Sequence, residues 1–115
     1  MLTYALIAFA IGALGGLVLA SSVLRGRLAP WPLSLLHAAL GAIGLLLVIY
    51  AALKTGISGA AMAALVILLI AALGGFYLAS IHLRREVAPR PVVFIHAGVA
   101  VIGFLTLLGA VFGML

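Results

Sequence analysis

Three histidines, His37, His82 and His96, are the side chains inside the long uncharged stretches of this chain that can take a charge near neutral pH. An imidazole can ligate a metal through a ring nitrogen, carry a proton, or hydrogen-bond to a neighbour. All six Lys/Arg residues and Glu86 lie in the short segments between those stretches. Where a stretch crosses a bilayer, an ionisable side chain is costly and points first to function.

Two of the three histidines are copies of one another. Shifted by 59 positions, residues 11–53 match a later part of the same chain at nineteen positions without a gap. Ala13-Leu14-Gly15-Gly16 becomes Ala72-Leu73-Gly74-Gly75, and Leu24-Arg25 becomes Leu83-Arg84. Ala29-Pro30-x-Pro32 becomes Ala88-Pro89-x-Pro91, and His37-Ala38 becomes His96-Ala97. Apolar composition alone does not align two prolines, an arginine, a serine and a histidine in order. His82 corresponds to Val23 and has no such mate.

The elements that must carry these residues follow from the charges. Four uncharged stretches, Met1–Leu24, Leu28–Leu53, Thr55–Leu83 and Pro91–Leu115, each exceed the roughly 20 residues that a helix needs to span hydrocarbon. With 69% hydrophobic and 6% charged residues, lipid must be the solvent for most of the chain. The spans are expected near residues 2–24, 32–53, 58–83 and 91–114, with Pro32 and Pro91 in first turns and Lys54-Thr55-Gly56 as the central turn. The first stretch is too long, and too free of basic residues ahead of it, for a signal peptide.

The expected fold is all-α: one domain, residues 1–115, built as an up-down-up-down bundle of four transmembrane helices. Its two tandem hairpins, residues 1–56 and 57–115, are parallel repeats about a pseudo-twofold axis along the membrane normal. The first and third turns hold five basic residues against one in the second. This places them in the cytoplasm and both termini on the other side, by analogy at a bacterial inner membrane.

On that frame His37 and His96 sit about five residues into the second and fourth helices, roughly 7–8 Å deep. Diagonal helices of such a bundle are roughly 11–14 Å apart, a gap that suits two imidazoles with a metal between them. A porphyrin plane containing the bundle axis would put its iron on that axis. Gly41, Gly44, Ala100 and Gly103, with Gly15/Gly16 and Gly74/Gly75 at a similar depth on the other helices, would then clear a slot below the iron. Ser21 and Ser80 would accept the second ring N–H, and Arg25 and Arg84 would meet propionates at the mouth. The alternative reading of the glycines is close helix packing, and that of the histidine pair is interhelical hydrogen bonding. His82, two residues before Arg84, is expected as a wet interfacial side chain.

This layout resembles one half of haem A synthase, on Leu36-His37-Ala38 and Ile95-His96-Ala97. In that family each half is a four-helix bundle, and a histidine on its second and fourth helices flanks a b-type haem. The resemblance implies a bis-histidine haem b carrier with His37 and His96 as iron ligands. The chain departs from the family in having one half only, no membrane-embedded carboxylate and no cysteine, so haem A synthase activity is not expected. Four-helix membrane cytochromes b with two haems need four ligands.

Several functions are excluded. The absence of cysteine rules out disulfides, thiolate metal sites and c-type haem attachment. Zinc wants more ligands than two histidines. The net charge of +5 is a topology signal, and nothing suggests nucleic-acid binding. Paired carboxylates and a nucleophile–base pair are lacking, so activity as an enzyme is not expected. Small multidrug transporters depend on a glutamate in the first helix, which holds no acid here. The readings left open are electron transfer by haem b, serving a quinol or partner redox subunits, and an accessory subunit of a larger respiratory or photosynthetic complex. A third is a quinone, lipid or pigment site near Trp31, Phe76, Tyr77, Phe94 and Phe104.

Overall fold

The computed structural model describes residues 1–115 and contains four helices and no strand: α1 (Leu2–Leu24), α2 (Trp31–Lys54), α3 (Gly59–Leu83) and α4 (Arg90–Val111). Each is long and apolar enough to cross a membrane, the architecture of an integral membrane helical bundle. Twenty-two residues at about 1.5 Å each already exceed the roughly 30 Å hydrocarbon core. No polar or charged residue is fully buried, and most large apolar side chains face outward.

The ends of the helices follow local chemistry. Pro30 and Pro89 occupy the N-cap positions of α2 and α4 in extended conformation, with Pro32 and Pro91 in the first turns. Ser58 caps α3 by accepting from the Ala61 N–H at 3.1 Å. Helix α4 stops at Val111, three residues before the expected end. Gly113 takes a left-handed φ of 69°, and the Met114 N–H reaches back to the Gly109 carbonyl.

The helices form a four-cornered bundle, α1–α2–α3–α4 in order, with neither diagonal pair in backbone contact. Each hairpin is packed more closely within itself than against the other. The chain alternates direction, so both arginine-bearing turns lie at one end, and Lys54 with both termini at the other.

At the lysine end lies the core: Ala5, Leu6, Val48, Ala64, Leu65, Leu68 and Leu107, with Phe9 against it. These are repeat partners, Ala5 with Ala64, Leu6 with Leu65, Phe9 with Leu68 and Val48 with Leu107. The pseudo-twofold relation is thus carried into the packing. In lipid, close fit holds such a core together, because apolar burial supplies little drive there.

Candidate functional site: an imidazole pair on the bundle axis

Above the core, toward the arginine end, the His37 and His96 rings meet across the α2/α4 diagonal. Their centroids are 6.3 Å apart and their planes are nearly perpendicular, at 83°. Each ring lies six residues into its helix, about 9 Å from the first turn.

Each ring is held by the neighbouring helix of its own hairpin. The His37 Nδ1–H donates to the Gly12 carbonyl at 2.7 Å, and the His96 Nδ1–H donates to the Ala71 carbonyl at 2.9 Å. A carbonyl can only accept, so Nδ1 carries the proton and Nε2 keeps its lone pair. The two acceptors are repeat partners, 59 positions apart.

The glycine pairs make this bond possible. A helical side chain covers the turn N-terminal to its own Cα, so residue i+4 screens the carbonyl of residue i. Gly16 stands four residues after Gly12, and Gly75 four after Ala71. A Cβ on Gly16 would come within 2.8 Å of His37 Cε1, and one on Gly75 within 3.2 Å of His96 Cε1. Gly15 and Gly74 border the same two side chains. The repeated Ala-Leu-Gly-Gly is therefore the seat of an imidazole.

Three expectations need correction. Ser21 and Ser80 do not bond the imidazoles. Their hydroxyls donate to Val18 and Tyr77 carbonyls of their own helices, at 2.8 and 2.6 Å, on the outer face. Backbone carbonyls stand nearer the rings and take that role. Gly44 and Gly103 do not leave a slot. The Phe9 ring fills the space at Gly44, 2.6 Å from where a Cβ would stand, and Leu68 fills that at Gly103, at 2.8 Å. They are packing glycines, whereas a Cβ on Gly41 would meet nothing within 4 Å. His82 is not a wet side chain: it is half-buried, with Nδ1 3.0 Å from Ser34 Oγ and its ring stacked on Trp31.

Arg25 and Arg84 are exposed at the arginine end. Arg25 Nε donates to the Ser21 carbonyl at 3.0 Å, and Arg84 stands 4.0 Å from Glu86. Arg90, which spacing alone did not single out, donates to the Leu24 carbonyl at 3.0 Å and ties α4 to α1.

Two trans imidazoles on one metal, with bonds of about 2.0–2.1 Å, bring their ring centroids to roughly 6–6.5 Å. The observed separation falls in that range, and both Nε2 atoms are free of hydrogen bonds. No third His, Asp or Glu joins them. In number and centroid separation the pair would suit a metal that brings most of its own ligands, as iron does in a porphyrin, better than a bare ion that needs three or four protein ligands. A macrocycle held between the two rings would reach to both sides of the histidine level, with Phe9 and Leu68 bounding it toward the lysine end.

No protein-family model, curated protein or solved structure matches the chain, so its site rests on its own residues.

Proposed function

We propose that the chain is a small membrane b-type cytochrome, in which His37 and His96 are the axial ligands of one haem b and carry no chemistry beyond electron transfer. The single observation behind this reading is the imidazole pair: two rings from opposite helices, at one level, 6.3 Å apart, each with Nδ1 tied to a backbone carbonyl. Such a tie fixes the tautomer, aims the ring and raises its basicity as a ligand. Haem b supplies a ferric/ferrous couple that moves one electron at a time. Held by both His37 and His96, the group would keep no open position for oxygen, and hydrogen bonding to the rings and burial would set its potential. The arginine end is proposed to face the cytoplasm, where positive charge is retained.

A second reading has an observation of its own. Each Nδ1–H bond joins the two helices of one hairpin, so the pair also serves as interhelical glue. On that reading the chain is an accessory subunit of a larger membrane complex. A visible spectrum separates the two. Protein purified gently from haem-replete cells should show a sharp reduced α-band that is lost in both His37→Ala and His96→Ala. Wild-type protein without haem would overturn the cytochrome and leave the glue.

A further inference from the structure

The seam between α2 and α3 carries a polar cluster that the imidazole pair does not use. Trp31 lies flat on His82, with centroids 3.8 Å apart and planes within 9°. Ser34 Oγ stands 3.0 Å from His82 Nδ1. The other ring nitrogen, Nε2, is buried and has no hydrogen-bond partner. A buried nitrogen in that state forgoes a bond that water or a ligand would give it.

The same two helices line an apolar groove of about 410 Å³ that opens toward lipid. Ala42, Leu45 and Ile49 of α2 and Leu69, Ala72 and Phe76 of α3 are among its walls. Phe76 lies six residues before His82, about 9 Å along the helix. Measured along α3, the groove's upper wall thus stands one to two turns deeper in the bilayer than the cluster, and none of the three cluster residues lines it.

The opposite seam lacks both parts of the cluster. The repeat partners of Trp31, Ser34 and His82 are Arg90, Val93 and Val23. Between α4 and α1 the Arg90 guanidinium bonds directly to the Leu24 carbonyl. Duplication did not produce the cluster; it arose on one side only.

We infer that the α2/α3 seam binds a quinone or quinol, its head group at His82 and its isoprenoid tail in the groove. This deepens the electron-carrier reading by naming the class of its redox substrate, and only that role rests on it. A flat ring with a carbonyl or hydroxyl and a long apolar tail matches a flat ring stack, a free imidazole nitrogen and a lipid-facing groove in that order. The Ser34–His82 pair serves both oxidation states. With the Ser34 hydroxyl donating to Nδ1, Nε2 carries a proton and donates to a quinone carbonyl. With Nδ1–H donating to Ser34, Nε2 accepts from a quinol hydroxyl. Trp31 is the movable member. It is the first residue of α2 and 37% exposed, and its displacement opens the His82 ring to a second flat ring.

Trp31 is the only tryptophan, so its fluorescence reports this site alone. The purified full chain in mild detergent is titrated with decylubiquinone, and with decylbenzene, which has the same tail and no carbonyl. Midpoints are compared rather than amplitudes. The wild type should show saturable quenching by decylubiquinone that decylbenzene does not reproduce. The midpoint should rise at least about tenfold in His82→Leu and in Ala72→Phe, which fills the groove. It should rise less in His82→Gln, whose amide nitrogen approaches the place of Nε2. Equal midpoints in wild type and His82→Leu, or equal binding of decylbenzene, would overturn the site. The signal comes from the polypeptide and not from iron. Loss of quinone binding with an intact α-band therefore overturns this site alone. Quinone binding without an α-band supports the site and removes the cytochrome.

Discussion

The two ends of the bundle differ in what duplication preserved. At the lysine end, repeat partners occupy equivalent core positions and differ only in size: Phe9 for Leu68, Val48 for Leu107. At mid-depth the histidines and their carbonyl acceptors keep the same relation in both hairpins. At the arginine end the relation breaks down, with an aromatic–imidazole cluster closing one seam and a guanidinium closing the other. Fit in lipid depends on shape, so a core keeps its symmetry as long as the summed volume is kept. Polar contacts depend on partners, so Arg90, Val93 and Val23 in place of Trp31, Ser34 and His82 give the opposite seam a different closure.

The largest effect that would sharpen this contrast is a cavity in the shared core. Leu107 is fully buried, so Leu107→Ala should lower stability by about 1–3 kcal/mol, the packing and cavity part of the loss that remains in lipid. Leu36→Ala, at a position 54% exposed beside His37, should cost far less. Unfolding by SDS in mixed micelles would measure both, and equal losses would mean that the lysine end is not the core.

A second effect, no larger, distinguishes the two kinds of glycine. Gly44→Ala pushes into the Phe9 ring and should cost about 1–3 kcal/mol. Gly41→Ala, with open space around it, should be nearly neutral in the same assay. Gly16→Ala should act on the imidazole instead. Its Cβ would stand 2.8 Å from His37 Cε1 against 3.2 Å for the equivalent Gly75→Ala. The first should therefore shift the absorbance of a bound haem more than the second, and equal spectra would remove the glycine seat from the argument for ligation.

The smallest effect tests the turns. Gly26 and Arg85 are repeat partners, and both are left-handed, with φ of 74° and 56°. Glycine holds that conformation without strain, while a side chain costs roughly 1–2 kcal/mol there. Arg85→Gly should raise stability by up to about 1 kcal/mol, and Gly26→Arg should lower it by a similar amount. Loss of stability in Arg85→Gly would show that the arginine side chain makes a contact worth more than the strain.

Much of the fold was legible in the sequence. Charge positions bounded all four spans, and helix starts fell within a residue of the prolines that mark them, because a missing N–H is harmless only in a first turn. The C-terminal end was misplaced because the run stays apolar through Leu115, and only the backbone turn at Gly113 ends the helix. Of the candidate site, the pairing of His37 with His96 was readable from the repeat. The roles of Ser21, Ser80, Gly44 and Gly103 were not. Sequence gives depth along a helix but not which face a side chain takes, nor which neighbour fills a gap.

The amino-acid order by itself determined the membrane solvent, the count and alternation of helices, and the duplication that makes two histidines equivalent. Those follow from transfer energies and chain length, which are local. Only the tertiary structure decided that the imidazoles meet, that Gly12 and Ala71 carbonyls hold them, and that His82 lies under Trp31. These are contacts between residues 25 to 59 positions apart, fixed by how helices rotate against one another, and small residues in lipid allow several rotations until the whole bundle selects one.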